Sequence, residues 1–263
     1  MVFLHKAYGR DVNCMTHIQH TLCDPFTRFV FRMKKLAVFL FCYFSITLTQ
    51  AQPKTEELIK KGINAFINQQ YDTALANFNR VIAIQPANAD AYYNKAVTYA
   101  SINKLDSAIT YYSKALKYNP NKTEAYINRG SAYSEQKEYT LAIKDYNKAI
   151  EINSKIAESY NNRGYLLSLQ HLHPDAIKDF DKAISLNPKY GRAYINKAYS
   201  LSILGEHKAS VDVLSKLIEV LPDMASAYFN RALEYKEMGD IKSALKDYDK
   251  GLLLEPDDIK ILF

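Results

Sequence analysis

TEAYINRGSAYSEQKEYTLAIKDYNKAIEINS, residues 123–154, carries the reading of the whole chain. Tyr126, Gly130 and Tyr133 recur at steps of four and three, and so do Ala142, Tyr146 and Ala149. That spacing places each trio along one face of a helix. The polar break Glu135–Glu138 between them is short enough to turn two helices antiparallel. Tyrosines supply bulk, while Gly130, Ala142 and Ala149 leave room for the helix axes to approach. The stretch therefore predicts a helical hairpin with one apolar seam.

One such hairpin cannot bury both faces, so it needs neighbours. Pro86, Pro120, Pro188, Pro222 and Pro256 lie on a grid of 34 residues, with Ser154 filling the gap. Tyr92, Tyr126, Tyr160, Tyr194 and Tyr228 keep the same interval, as do Ala74, Ala108, Ala142, Ala176 and Ala244, with Ser210 the exception.

These residues, an aromatic, a small residue, Tyr, Ala, an aromatic, Ala and Pro in set places, resemble the tetratricopeptide repeat. The resemblance implies an all-α fold, a right-handed α-solenoid of antiparallel helix pairs whose first helices line an inner groove that holds partner peptides. Six repeats are expected, at 55–88, 89–122, 123–156, 157–190, 191–224 and 225–256. Repeat one is atypical, with Leu58 and Ala65 in aromatic places, as terminal repeats often are. Repeat five carries Ser210, Leu214 and Leu217 where Ala, an aromatic and Ala belong, so its second helix should be oilier and packed differently. In repeat four Pro174 suits the first position of the second helix.

Outside the repeats, residues 1–32 read as an extension or a mis-assigned start. Their Cys14, His17, His20 and Cys23 sit three apart, which crowds one helix face instead of wrapping a tetrahedral ion, so no metal site is expected. From Met33 a basic start, an apolar run Leu36–Leu48 and a small residue at Ala51 have the layout of a cleaved secretory signal. The run is 13 residues, short of the ~20 that span a bilayer. Export to a bacterial periplasm or beyond is the expectation, with a membrane anchor at 36–48 as the alternative. Residues 257–263 form an apolar tail that favours self-association.

The formal charge of +6 is concentrated early: six Lys or Arg against two acids up to Ala51, then 28 against 26. The repeat region lacks the basic stripe that nucleic acid requires. All three cysteines precede Ala51, so the repeats hold no disulfide.

Five asparagines, Asn94, Asn128, Asn162, Asn196 and Asn230, stand two residues after each seam tyrosine. Two residues turn a helix by about 200°, so these amides point away from the seam. Asn costs a helix about 0.5 kcal/mol relative to Ala, and five placements call for a reason. One reading has them grip a peptide main chain as both donor and acceptor, which resembles the asparagine ladders of long superhelices of this family. The other has them bond between adjacent repeats. Tyr93 and Phe229 beside the ladder, and Tyr165 and Tyr199 three residues after it, are candidate groove residues on the same argument; inter-repeat packing is the alternative. The basic series Lys61, Lys95, Arg129, Arg163, Lys197 and Arg231 either attracts acidic peptides or pairs with second-helix acids such as Asp145, Asp179 and Asp247. Glu56, Asp90, Glu124 and Glu158 open the first helices, where acids suit the dipole. They stand where the resemblance to chaperone-binding relatives implies part of a cationic carboxylate clamp, with Arg192 the one basic match, so such a co-chaperone role is not expected.

Chemistry finds no support: there is no phosphate loop, zinc-protease helix or nucleophile elbow. Ser134–Lys137 has Ser-x-x-Lys spacing without its companion motifs. The expectation is a non-enzymatic protein-interaction scaffold with no cofactor, binding a protein or peptide partner. The alternatives are an accessory subunit of an envelope enzyme or secretion complex, or a self-assembling spacer.

Overall fold

The computed structural model describes Met33 and residues 54–255. Apart from Met33, the segment expected to be an export signal lies outside those residues, as do Cys14–Cys23 and residues 257–263. The chain divides into two compact units, Met1–Lys60 and Lys61–Phe263, with the boundary inside the first helix, α1 (residues 54–67). In the opening turns of α1, Thr55 and Leu58 are buried.

The second unit continues through α2 (Tyr71–Ile84), α3 (Ala89–Ser101), α4 (Leu105–Tyr118), α5 (Thr123–Glu135), α6 (Tyr139–Ile152), α7 (Ala157–Leu169), α8 (His173–Leu186), α9 (Gly191–Ile203), α10 (His207–Val220), α11 (Ala225–Glu237) and α12 (Ile241–Leu254). No strand occurs among the described residues. From α3 onward the first helices start at Ala89, Thr123, Ala157, Gly191 and Ala225, which keeps the interval of the proline grid. Each helix packs on its neighbours in sequence, and successive first helices also touch one another directly. The fold is an all-α solenoid of stacked hairpins, as the sequence implies.

The seam works through an exchange of size between the two helices of a hairpin. A Cβ on Gly62, Gly130 or Gly164 would lie 2.5, 2.9 or 2.8 Å from the ring of Phe78, Tyr146 or Phe180. The absence of a side chain there lets a large ring seat against the facing helix. Repeat five replaces that ring with Leu214, and Val211, Val213, Leu214 and Leu217 are all buried, which fits the oilier helix expected. Its Ser210 donates its hydroxyl to the Ala198 carbonyl at 3.1 Å, so the buried polar atom is satisfied.

Each hairpin turns on a residue with left-handed backbone: Gln69, Asn103, Lys137, His171, Gly205 and Gly239, with φ from 57° to 78°. The next N–H reaches back five residues, as from Glu138 to Tyr133 O at 2.9 Å and from Asp240 to Tyr235 O at 2.9 Å. That bond closes the first helix by satisfying a carbonyl left over at its end. In repeat four α8 begins at His173, so Pro174 is its second residue, one later than the first position expected; its missing N–H is equally harmless there, because the opening N–H groups of a helix have no partner in the helix. The other end of the hairpin is tied by the proline grid. Tyr194 and Tyr228 donate their hydroxyls to Pro188 O and Pro222 O at 3.2 and 3.0 Å, which anchors each first helix to the loop before it.

Candidate functional site

The basic series resolves first. Arg129 donates through Nε and Nη2 to both oxygens of Asp145 at 2.8 and 2.7 Å, and through Nη1 to Ser113 Oγ at 2.8 Å. Arg163 does the same with Asp179 and Asn147, and Arg231 with Asp247 and Ser215. Each aspartate lies on the same hairpin as its arginine, and each third partner lies on the hairpin before. Where the residue in the aspartate's place is not an acid, the base is a lysine. Lys95 donates to Asn79 Oδ1 at 2.6 Å and lies 4.0 Å from the centre of the Tyr111 ring, while Lys197 pairs backward with Asp181. A bidentate fork suits a carboxylate, and a point charge suits a ring face. These cations therefore join consecutive repeats; pairing with second-helix acids holds for Arg129, Arg163, Lys197 and Arg231, while Lys95 meets an amide and a ring instead.

The asparagine ladder divides. Asn128 donates to Tyr93 Oη of the preceding repeat at 2.9 Å, and its amide lowers the Tyr112 pKa against the larger effect of burial. Asn162 accepts from Asn161 at 3.2 Å, and its amide opposes the burial that raises the Tyr146 pKa. Both thus act on a tyrosine of the second helix of the preceding repeat. For the other three, the residue in that tyrosine's place is Phe78, Phe180 or Leu214, which has no hydroxyl to offer. Asn94 and Asn230 turn instead to Asp90 O and Ser226 O on their own helices, and Asn196 donates to Asn161 Oδ1.

Of the aromatic candidates, Phe229 is a correction. It is only 3% exposed, with its ring over Gly251, where a Cβ would approach within 2.5 Å. Ile127 and Ile195 occupy its place in repeats three and five, so Phe229 is a packing residue whose extra volume Gly251 accommodates. Tyr93 is half-buried, with Lys122 Nζ 4.7 Å from its ring centre. Burial and then the Glu124 carboxylate raise the Tyr93 pKa, the Asn128 hydrogen bond lowers it, and Glu158 raises it further.

Tyr165 and Tyr199 differ: they are 47% and 59% exposed. They bound a depression of about 300 Å³ whose lining includes Asn196, Asn230, Leu169 and Ile195. It runs across α7, α9 and α11, with Phe180 of α8 in its floor. Leu169 and Ile195 were not among the sequence-derived site residues, although Leu169 follows Asn162 by seven and so shares its face. Along the same face Ile203 and Leu233 are exposed as well. In α3 and α5 the places of Tyr165 and Leu169 hold Val97 and Ser101, and Ser131 and Glu135, so the large exposed side chains concentrate in the later repeats.

Stacked hairpins with an open, partly aromatic first-helix face, ion pairs within the hairpins and hydrogen bonds between them define an α-helical repeat scaffold. The tetratricopeptide repeat model matches residues 89–122, 123–156, 157–190 and 225–258, with related repeat models over 65–103 and 191–223. The chain belongs to the tetratricopeptide repeat family. No curated protein matches it in sequence. Among solved structures it is similar to the MamA protein, at 27% identity and TM-score 0.58, over 65% of this chain and 94% of that one. A tetratricopeptide repeat protein from Parabacteroides merdae is 27% identical with TM-score 0.65, over 76% and 79% of the two chains. YrrB, a tetratricopeptide repeat protein with an unusual peptide-binding site, shares the fold at 24% identity and TM-score 0.57, over 70% and 95%.

Proposed function

We propose that this chain is an interaction scaffold that holds an extended segment of a partner polypeptide along its first-helix face, without catalysing a reaction. One observation carries this reading: Tyr165 and Tyr199 stand exposed around the depression above Asn196 and Asn230. Exposed tyrosines offer large contact area at low entropic cost and recur as binding hot spots. The Asn196 and Asn230 amides line the depression and bring polar atoms that suit a peptide main chain, with Asn196, like Asn128, also donating to the preceding repeat. The basic start, apolar run and small residue of 33–51 support an exported location, so the partner belongs to the envelope or its surroundings.

The test selects phage-displayed random peptides on the full-length chain and measures the selected peptides against Tyr165→Ala/Tyr199→Ala. Both residues are exposed, so the variant should keep its melting temperature. The expected result is a loss of affinity of about 30-fold, the scale of a lost hot-spot pair. Undiminished affinity in that variant would remove the depression as the binding site.

A further inference from the structure

Resting on the groove reading above, we infer that the partner segment is cationic and apolar: basic residues meet Glu124 and Glu158, and an apolar side chain enters the depression between Tyr165 and Tyr199. A sequence rich in lysine and arginine along its first helices invites the opposite expectation, an acidic ligand. The geometry reverses it. Arg129, Arg163 and Arg231 are each held by two bonds to an aspartate and one to the preceding repeat. Their positive charge is matched within the stack.

What remains on the open face has the other sign. The ladder asparagine and the residues four before it and three and seven after it share one side of each first helix. In α5 and α7 this strip opens with Glu124 and Glu158, both exposed. Asp90 holds the same place in α3 but is paired with Lys122 at 2.7 Å. Glu135 at the end of α5 and Glu237 at the end of α11 are exposed or partly so, and Arg192 in α9 is the cation on this strip in α3 to α11. Toward the later repeats the strip turns apolar through Tyr165, Leu169, Tyr199, Ile203 and Leu233, all exposed.

Negative charge and apolar surface are therefore laid end to end. Glu158 lies seven residues before Tyr165 on α7, about 10 Å along the helix axis. An extended chain covers that distance in about three residues, so one short segment can engage both. Exposed carboxylates contribute most to encounter rate and partner choice, and the aromatic depression contributes most to residence.

Three synthetic peptides of one length test this, built from lysine and leucine, serine and leucine, or glutamate and leucine. Binding to the full-length chain is read by fluorescence anisotropy at low and high salt. The lysine peptide should bind about tenfold more tightly than the glutamate peptide at low salt, and the margin should shrink as salt screens the carboxylates. Glu124→Gln/Glu158→Gln should remove that margin while leaving the serine peptide unchanged. Equal or stronger binding of the glutamate or serine peptide, with binding still lost in Tyr165→Ala/Tyr199→Ala, overturns the cationic partner and leaves the groove standing. Binding insensitive to the tyrosine substitutions overturns the groove itself, and failure of all three peptides to bind overturns the inference.

Discussion

Arg129 and Asp145 face each other across one hairpin through two parallel hydrogen bonds of 2.8 and 2.7 Å, and the third arm of the guanidinium crosses to Ser113 of the repeat before. Asp145 is 4% exposed and the Arg129 side chain 18%. The pair, together with the Tyr126 and Tyr133 rings 5.7 and 5.9 Å from the guanidinium carbon, fills a joint that Arg163 with Asp179 and Arg231 with Asp247 fill in repeats four and six. The Asp145 hydrogen bonds and charge hold the Arg129 pKa above its ordinary value, against the opposing effect of burial.

Removing one member leaves the other charged and poorly hydrated. Asp145→Ala should destabilise the protein by about 3 kcal/mol, measured by urea unfolding. Arg129→Lys should also destabilise, by less, because an ammonium cannot reproduce the fork that reaches both Asp145 oxygens and Ser113. A loss under ~0.5 kcal/mol for Asp145→Ala would show that the joint does not depend on this pair.

Gly251 and Phe229 exchange volume. A Cβ at Gly251 would lie 2.5 Å from the Phe229 ring, so Gly251→Ala should cost about 1–3 kcal/mol through overpacking, set against up to ~1 kcal/mol gained in helix propensity. Phe229→Ile, the side chain that shares a core cluster with Ala149 in repeat three, should relieve the clash. The double variant should be more stable than Gly251→Ala alone, a coupling that a double-mutant cycle reads directly.

Lys137 turns the third hairpin at φ 64°, a conformation that costs a residue with a Cβ about 1 kcal/mol. Gly205 and Gly239 hold the same place in repeats five and six. Lys137→Gly should therefore raise the melting temperature, the gain in the folded backbone exceeding the added freedom of the unfolded chain. A lower melting temperature would mean that the lysine side chain contributes something its exposure does not reveal.

Alkaline pH should unfold the protein. Burial pushes the Tyr146 hydroxyl up to about 12, with its hydrogen bond to Ser131 opposing, and burial raises Tyr112 as well. Below the ordinary tyrosine pKa of about 10 both states are protonated and the contribution is fully present. As pH rises from there through the folded value, the unfolded chain ionises first and stability is lost. Melting temperature should fall between pH ~10 and ~12, and tyrosinate absorbance should lag until unfolding. Titration of every tyrosine near pH 10 in the folded protein would contradict this.

The hairpin, its seam and the number of repeats are legible in the sequence because each depends on spacing within the chain. Gly130 with Tyr146, the proline grid and the seam tyrosines all act within one repeat or between it and its copy. The left-handed turn escapes a reading of apolar spacing, although Gly205 and Gly239 on one register with Lys137 are its visible signal. Phe229 defeats that reading because Gly251 lies on the other helix of the hairpin, and the burial of the ring depends on that missing side chain.

The sequence by itself determined that this chain stacks helical hairpins at a constant interval, since periodic apolar faces leave no other way to bury themselves. Which polar side chains serve the stack and which face outward was decided by tertiary structure. Arg129 and Glu124 are both charged first-helix residues, but only packing brings Asp145 and Ser113 around the one and leaves the other exposed. Asn162 and Asn196 occupy the same place in two copies of one motif. Tyr146 holds the place beneath the first and Phe180 the place beneath the second, and Asn196 reaches to Asn161 of the preceding repeat at the edge of the open depression.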